Sequence, residues 1–462
     1  MKQKPLTLLA LGLALSLTVS CGKGIDAIKT TPEPDSIPEI QLIPLEKALS
    51  TLSEFLQSDD GEMLKTRSGS QREINSITTY YAENKRNYLT SKASTEESNL
   101  IPDAYLINFE DGAGFAVLGA NTSVADIVAV TENGHIENDL AVFFNESSEN
   151  SNDDAPDDPD DQIIDTVGYY CAEDDDFYSD TCQDSRFVTE CIKSAVDCRF
   201  EDDYGGDSGG NSSPILATKK PLLNISWGQG DPYNKYCFRR NLVGKKKSAY
   251  SGCSATAMAM IAAYNEYPNT LIINGEPIDW AGMKTYTFAH SLTSKGEDDV
   301  ARLIGSIYNF VRKIARPNYT LITPEQIKKR MQKIGYINVN KHSASDFTYS
   351  MKKATSDMLA KNKPVFISAI PKNWTKGHSW VIDGAKYSTT ESNTYLLHFN
   401  FGWKGQSNGY FSTTCLNPAK GKEYDTPRKD NTANNYAYSW HFRLITYDVP
   451  NGTCTGEINY SY

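Results

Sequence analysis

The chain has 462 residues, 39% of them hydrophobic and 11% aromatic, which is enough for two or three domains and excludes a wholly unstructured chain. Its formal net charge of −12 conceals a division: residues 146–210 carry 21 acids and 3 bases, whereas 216–462 carry 32 bases and 17 acids. The basic clusters, Lys245 to Lys247 and Lys328 to Arg330, are short and scattered, so solvated surface accounts for most of them and no nucleic-acid partner is expected.

At the start, Lys2 and Lys4 precede an uncharged apolar run from Leu6 to Val19 that ends in Ser20-Cys21. A basic start, a short apolar core and a small residue before a cysteine predict an export signal over 1–22, because the run is too short for a stable membrane span. The sequence LTVSC resembles the lipobox of bacterial lipoproteins, although Thr18 stands where that pattern prefers Leu. The resemblance implies lipidation at Cys21; the competing reading is plain secretion with Cys21 incidental. Contact with a membrane is expected only through such an anchor, which would leave the protein secreted or held at the cell surface or outer membrane. Export also permits disulfides. Cys171, Cys182, Cys191 and Cys198 crowd one stretch without a CxxC pair or an accompanying His, which favours two local disulfides over zinc.

Residues 23–44 are polar and Pro-containing and read as a linker. Leu45, Leu49, Leu52 and Leu56 recur at helical spacing. AYLINFEDGAGFAVLGA over 104–120 holds two apolar strands around an Asp-Gly turn, and VADIVAVTENG adds another strand. The span 45–145 is therefore expected to be a small α+β domain. The acidic run that follows cannot bury a core, so 146–215 reads as a long Cys-containing linker.

The largest unit is expected over 216–462. SGCSATAMAMIAAYNEY predicts a helix ended by Pro268, DDVARLIGSIYNFVRKIA a second helix over 298–315, and TPEQIKKRMQKIG a third from Thr323-Pro324 to Gly335. Strands follow at 364–370, 378–387, 394–403 and 440–449, where aromatic and branched residues lie between turns. Helices first and antiparallel strands after predict an α+β domain of two halves meeting at a cleft.

Three residues carry chemistry in this reading. Cys253 lies where a loop becomes a helix, a place that stabilises a thiolate nucleophile; alone, Cys-Ser-Ala is equally a packed small cysteine. His378 begins a strand after Gly377 and is the candidate base, expected to form a thiolate–imidazolium pair with Cys253. Gln229, in a turn-rich segment ahead of Cys253, is a candidate oxyanion donor. No cofactor or metal is called for.

PLLNISWGQGDPYNKYC, GCSATAMAMIAAYNEYP, IDWAGM, PVFISAI, GHSWVIDGAKY and HFNFGWKGQSNGYF occur in that order through most of 221–415. Together they resemble the streptopain family of bacterial cysteine peptidases, papain-like in fold. AYLINFEDGAGFAVLGA and AVTENG also resemble that family's inhibitory propeptide. The resemblance implies Cys253 as nucleophile, His378 as base and Gln229 as oxyanion donor, with the backbone of Gly377 binding the substrate peptide. It further implies protein or peptide substrates and intramolecular inhibition by the N-terminal domain. The chain departs from the family in one place: Phe401 stands where Asn-Trp-Gly-Trp has its first Trp, so the residue orienting His378 is left between Asn400, as polar partner, and Trp403, as packing partner. The resulting expectation is an exported cysteine endopeptidase made as a zymogen. Acyl transfer to an amine, or a silent binding or inhibitor protein on the same scaffold, are the alternatives; the second would require Cys253, His378 or Gln229 to be missing, and none is.

Overall fold

Apolar residues placed at helical spacing in one stretch and at alternate positions in another must bury against each other, and here they do so around a single large sheet. The computed structural model describes residues 40–57, 72–81, 101–138, 142–143, 192, 196, 219–240, 244–284, 294–310, 314–315, 320–344, 347–371, 377–387, 395–413 and 440–460. The export signal, Cys21, most of the first linker and the four clustered cysteines lie outside these residues. Among the described residues no helix is long and apolar enough to cross a membrane.

The helices are α1 (Leu45–Gln57), α2 (Cys253–Asn265), α3 (Ser294–Phe310), α4 (Pro324–Lys333) and α5 (Tyr349–Ala360). The long strands are β1 (Ile74–Tyr80), β2 (Ala104–Phe109), β3 (Phe115–Gly119), β4 (Ile127–Thr131), β5 (Ile337–Ala344), β6 (Val365–Pro371), β7 (His378–Tyr387), β8 (Tyr395–Asn400), β9 (Gly409–Ser412) and β10 (Trp440–Asp448). They form one sheet of ten strands in the order β1-β2-β3-β4-β9-β8-β7-β6-β10-β5, antiparallel at every step. This is the expected α+β class, with the helix carrying Cys253 packed on an antiparallel sheet.

Residues 40–462 form one compact unit, and the expected boundary between 145 and 216 does not divide the sheet. Strand β4 pairs with β9 through Thr131 and Gly409, Val130 and Tyr410, and Ala129 and Phe411. Gly409 is required at this seam, because a Cβ there would come within 2.3 Å of the Val130 carbonyl oxygen.

The two faces of the sheet have separate cores. On one face, Ala48, Leu52, Phe55 and Leu56 of α1 cover Tyr105, Ile107, Leu118 and Val130, and also Leu396 and Tyr410 across the seam. Lys386 of β7 is buried at 3% exposure and donates from Nζ to the Phe55 carbonyl, a cation at the C-terminal end of α1 where the helix dipole favours one. On the other face, α2 packs among Trp380, Ile382, Phe399 and Phe411 in the larger core. Ile192 and Val196, from the acidic Cys-rich stretch, are buried in that same core.

The expected third helix appears as α4 with a capping box: Thr323 accepts from the Gln326 N–H while the Gln326 side chain accepts from the Thr323 N–H. The expected second helix is displaced toward the N-terminus, as α3, and Ile314–Ala315 belongs to a short strand.

Candidate active site

Cys253 is the first residue of α2. Ser254 through Ala263 are all buried, as a helix running through a core must be, and its Ala-rich surface lets neighbours approach closely. Gly252 precedes the helix at φ 85°, with no side-chain cap. A Cβ at Gly252 would meet the Thr320 carbonyl oxygen at 2.5 Å, so the chain can enter α2 this way only through glycine. The first-turn amides of α2 face the mouth where Cys253 lies.

His378 is the first residue of β7 and is 7% exposed. One contact ties its strand to the helix of Cys253. The Ser254 and Ser379 hydroxyls are 2.9 Å apart, and the Ser254 hydroxyl donates to the Ile322 carbonyl at 2.8 Å. The residues immediately following nucleophile and base are thus bonded to each other, although 125 positions separate them.

His378 is oriented by a main-chain group. Its Nε2 lies 3.0 Å from the Phe401 carbonyl oxygen; a carbonyl only accepts, so Nε2 carries the proton and Nδ1 is the basic nitrogen. Asn400 does not make this contact. Its Nδ2 donates to the Ile225 carbonyl at 2.8 Å, and its Oδ1 accepts from the Gly402 N–H at 3.2 Å. Since that N–H belongs to the same peptide plane as the Phe401 carbonyl, Asn400 acts on His378 through the backbone. The Trp403 ring lies closest to the imidazole, at 4.3 Å between centroids. The Phe401 and Trp380 rings are each 6.0 Å away. Trp403, not Phe401, is therefore the ring lying on the base.

Gln229 is held by its main chain, whose carbonyl accepts from the Ser251 N–H at 3.1 Å and the Ser251 hydroxyl at 3.2 Å. This fixes it against Ser251, two residues before Cys253, and its side-chain amide makes no hydrogen bond among the described residues. Gly377 is exposed at the start of β7.

Burial sets the charge state. It pushes the Cys253 thiol up from its ordinary value, against the opposing hydrogen bonds from Ser379 and Ser254. It pushes the His378 imidazole down to about 3, against the Phe401 hydrogen bond. Burial thus disfavours the charged form of each group, the Cys253 thiolate and the His378 imidazolium.

Residues 227–411 match the family model described as the Peptidase C10 family. Over that region the chain is similar to the Peptidase C10 family. Gln229, Cys253, Gly377, His378, Asn400 and Trp403 all fall inside the matched C10 region. Streptopain from Streptococcus pyogenes is 27% identical over 250 residues, covering 45% of this chain and 58% of streptopain. The thiol protease/hemagglutinin PrtT from Porphyromonas gingivalis is 29% identical over 242 residues, covering 45% of this chain and 25% of that protein. The chain thus spans little more than half the length of the first relative and a quarter of the second. A solved fragment of prointerpain A from Prevotella intermedia superposes with a TM-score of 0.49 at 17% identity, covering 82% of this chain and 100% of the fragment.

Sequence reasoning missed three participants in this site: the Phe401 carbonyl, Ser379 and Asn408, whose Oδ1 accepts from the Phe401 N–H at 3.1 Å. Ser379 was accessible as the polar residue following the base. A carbonyl belongs to every residue and leaves no mark in a sequence.

Proposed function

We propose that this chain is an exported cysteine endopeptidase, made as a zymogen, that hydrolyses peptide bonds in proteins. The observation that carries the reading is the 2.9 Å contact between the Ser254 and Ser379 hydroxyls, which ties the residue after Cys253 to the residue after His378 while the Phe401 carbonyl meets the imidazole Nε2. His378 Nδ1 takes the thiol proton as Cys253 attacks the scissile carbonyl carbon. The oxyanion is met by the Cys253 N–H, at the positive end of α2, and by the Gln229 amide. Gly377 offers its backbone to the substrate chain. The imidazolium then protonates the leaving amine, and the C–N bond breaks. Water, giving a proton to His378, next attacks the thioester and frees the acid and the thiol.

The 45–145 segment is the inhibitor in this reading. Three of its contacts fall on the loop that carries the orienting carbonyl. The Glu132 N–H donates to the Asn408 carbonyl at 2.9 Å, and Asn133 donates to the Gly405 carbonyl at 2.7 Å while accepting from the Ser407 N–H at 2.9 Å. Burial that disfavours the Cys253 thiolate suits a latent form, because it is the thiolate that attacks. Export rests on residues 1–22, with Cys21 as the lipid attachment point.

Labelling with an irreversible peptide epoxide, followed by mapping of the modified residue, tests the assignment. Modification at Cys253 is expected. Cys253→Ala should abolish hydrolysis of an unfolded protein and self-maturation while leaving the fold intact, since one sulfur atom is removed. Comparable hydrolysis by Cys253→Ala would refute the nucleophile.

A further inference from the structure

The turn from Phe401 to Asn408 is closed on itself by a single side chain. Asn408 is 3% exposed, and its Oδ1 takes the Phe401 N–H across seven residues at 3.1 Å. Phe401 is itself 1% exposed, so its N–H has no recourse to water and would be left unsatisfied without that oxygen. On the other side of Phe401, Asn400 Oδ1 takes the Gly402 N–H. The two amides flanking Phe401 are thus both fixed by asparagine oxygens, and the carbonyl between them meets His378 Nε2. The rest of the turn is anchored independently: the Lys404 N–H donates to the Trp227 carbonyl at 3.0 Å, and the Gln406 N–H to the Trp403 carbonyl at 3.0 Å. These contacts hold the tip of the turn. They do not set the tilt of the Phe401 peptide.

We propose that Asn408 is a positioning residue for the base, holding the Phe401 peptide so that its carbonyl fixes the tautomer and direction of His378. This rests on the peptidase reading of the site and adds a residue to it. The requirement is specific: an acceptor oxygen at the Oδ1 position. The amide nitrogen of Asn408 plays no part in the contact. A ring held only by its packing against Trp403 and Trp380 can still turn about its Cβ–Cγ bond, whereas the hydrogen bond to Phe401 singles out one direction. Loss of the Asn408 oxygen frees the 400–401 peptide, so that Phe401 shifts as a residue and carries its carbonyl with it, and the basic nitrogen then drifts from the sulfur. Misplacement of a reacting group by about 1 Å is enough for a loss of about 100-fold.

The test compares Asn408→Asp, Asn408→Leu and Asn408→Ser in the full-length chain. Asp keeps an acceptor oxygen in place; Leu fills the same space without one; Ser stays polar but is too short to reach Phe401. Two readouts are taken with thermal unfolding alongside: kcat and KM on a peptide substrate after maturation, and the rate of Cys253 alkylation by iodoacetamide across pH. The alkylation rate reports on the base without requiring turnover. Asp is expected to remain within about threefold of the parent, whereas Leu and Ser should lose about 10- to 100-fold in kcat with KM little changed. Cys253 alkylation near neutral pH should slow in parallel. A folded Leu or Ser variant with parental kcat and alkylation overturns the proposal, and so does a folded Asp variant that fails to rescue. Should Leu not fold, Ser is read by the same criteria; should neither fold, the Asp result decides. If the parent chain hydrolyses no peptide while the alkylation contrast persists, the peptidase reading falls and the positioning role stands.

Discussion

At His378 the environment makes a prediction with a definite sign. Burial holds the imidazole at about 3 in the folded chain against an ordinary value of 6.5. The unfolded chain takes up this proton as pH falls through the upper value, and the folded chain only near the lower one. Stability is therefore lost progressively as pH falls from about 6.5 toward 3. Trp403, 4.3 Å from the imidazole and 6% exposed, is the ring that keeps water away. Trp403→Ala should admit water, raise the His378 midpoint by at least about one unit and narrow that window. A pH titration of the His378 ring followed by NMR measures the midpoint, with Trp403→Phe as the control that keeps a ring. A profile in folded Trp403→Ala that superimposes on the parent's would remove Trp403 from any part in the base's environment. Cys253 and His378 were legible in the sequence because their chemistry lies in the side chain. The orienting group was not, since Asn400 presents its amide to the backbone and leaves the contact to a main-chain carbonyl.

At the scale of elements, strands and helices with strong patterns were legible. The core-facing α1, the β2–β3 hairpin around its Asp-Gly turn, α2, α4 and the strands β6, β7, β8 and β10 all lie close to where periodicity placed them. The pattern failed for β1, β5, β9 and α5. Strands β1 and β5 are at the two edges of the sheet, with few fully buried residues, so neither needs the alternation that marks a half-buried strand. In β9, a four-residue strand buried throughout, there is no alternation to find. Helix α5 is Lys- and Ser-containing with a weak apolar stripe, and it is nucleated by Thr348, whose side chain caps the Met351 N–H.

The end of β4 provides an element-scale prediction. His398 of β8 is 3% exposed, with Nδ1 2.6 Å from Asp383 Oδ1 of β7 and Nε2 3.2 Å from Glu132 Oε1. The Tyr410 ring of β9 lies against it edge-on at 5.0 Å. Burial alone would push this imidazolium down, but Asp383 and Glu132 together raise it to about 10. Its contribution to stability is complete below its ordinary value of 6.5 and disappears as pH rises through about 10. Glu132→Gln should then cost about 1 kcal/mol at neutral pH, since the Glu132 carboxylate is partly open to screening. That difference from the parent should shrink as pH passes 10. Thermal unfolding of both chains over pH 6 to 11 is the measurement, and a difference independent of pH would show that the charge on His398 is not what Glu132 holds.

For the whole molecule, charge and composition drew a boundary between 145 and 216, and the sheet runs across it. A boundary of this kind is read from local composition, whereas pairing of β4 with β9 joins residues about 280 positions apart, through Val130 and Tyr410. The seam has a backbone ladder, an apolar core shared by α1 and both sets of strands, and the Glu132–His398 contact. A single cut between 143 and 219 severs none of these. Maturation should consequently run on two clocks, one for the cut and a slower one for departure. In a time course, denaturing gels would report a processed enzyme while size-exclusion chromatography still returns both pieces in one peak and peptide hydrolysis lags behind. A second cut inside the 40–143 piece, or low urea, should abolish the lag. Activity that rises in step with the first cut would mean the ladder lets go at once. With the lag, and on the proposed reading as an exported protease, the protein would travel some distance from its producer before it starts to digest, and that distance would be set by how fast β4 peels from β9.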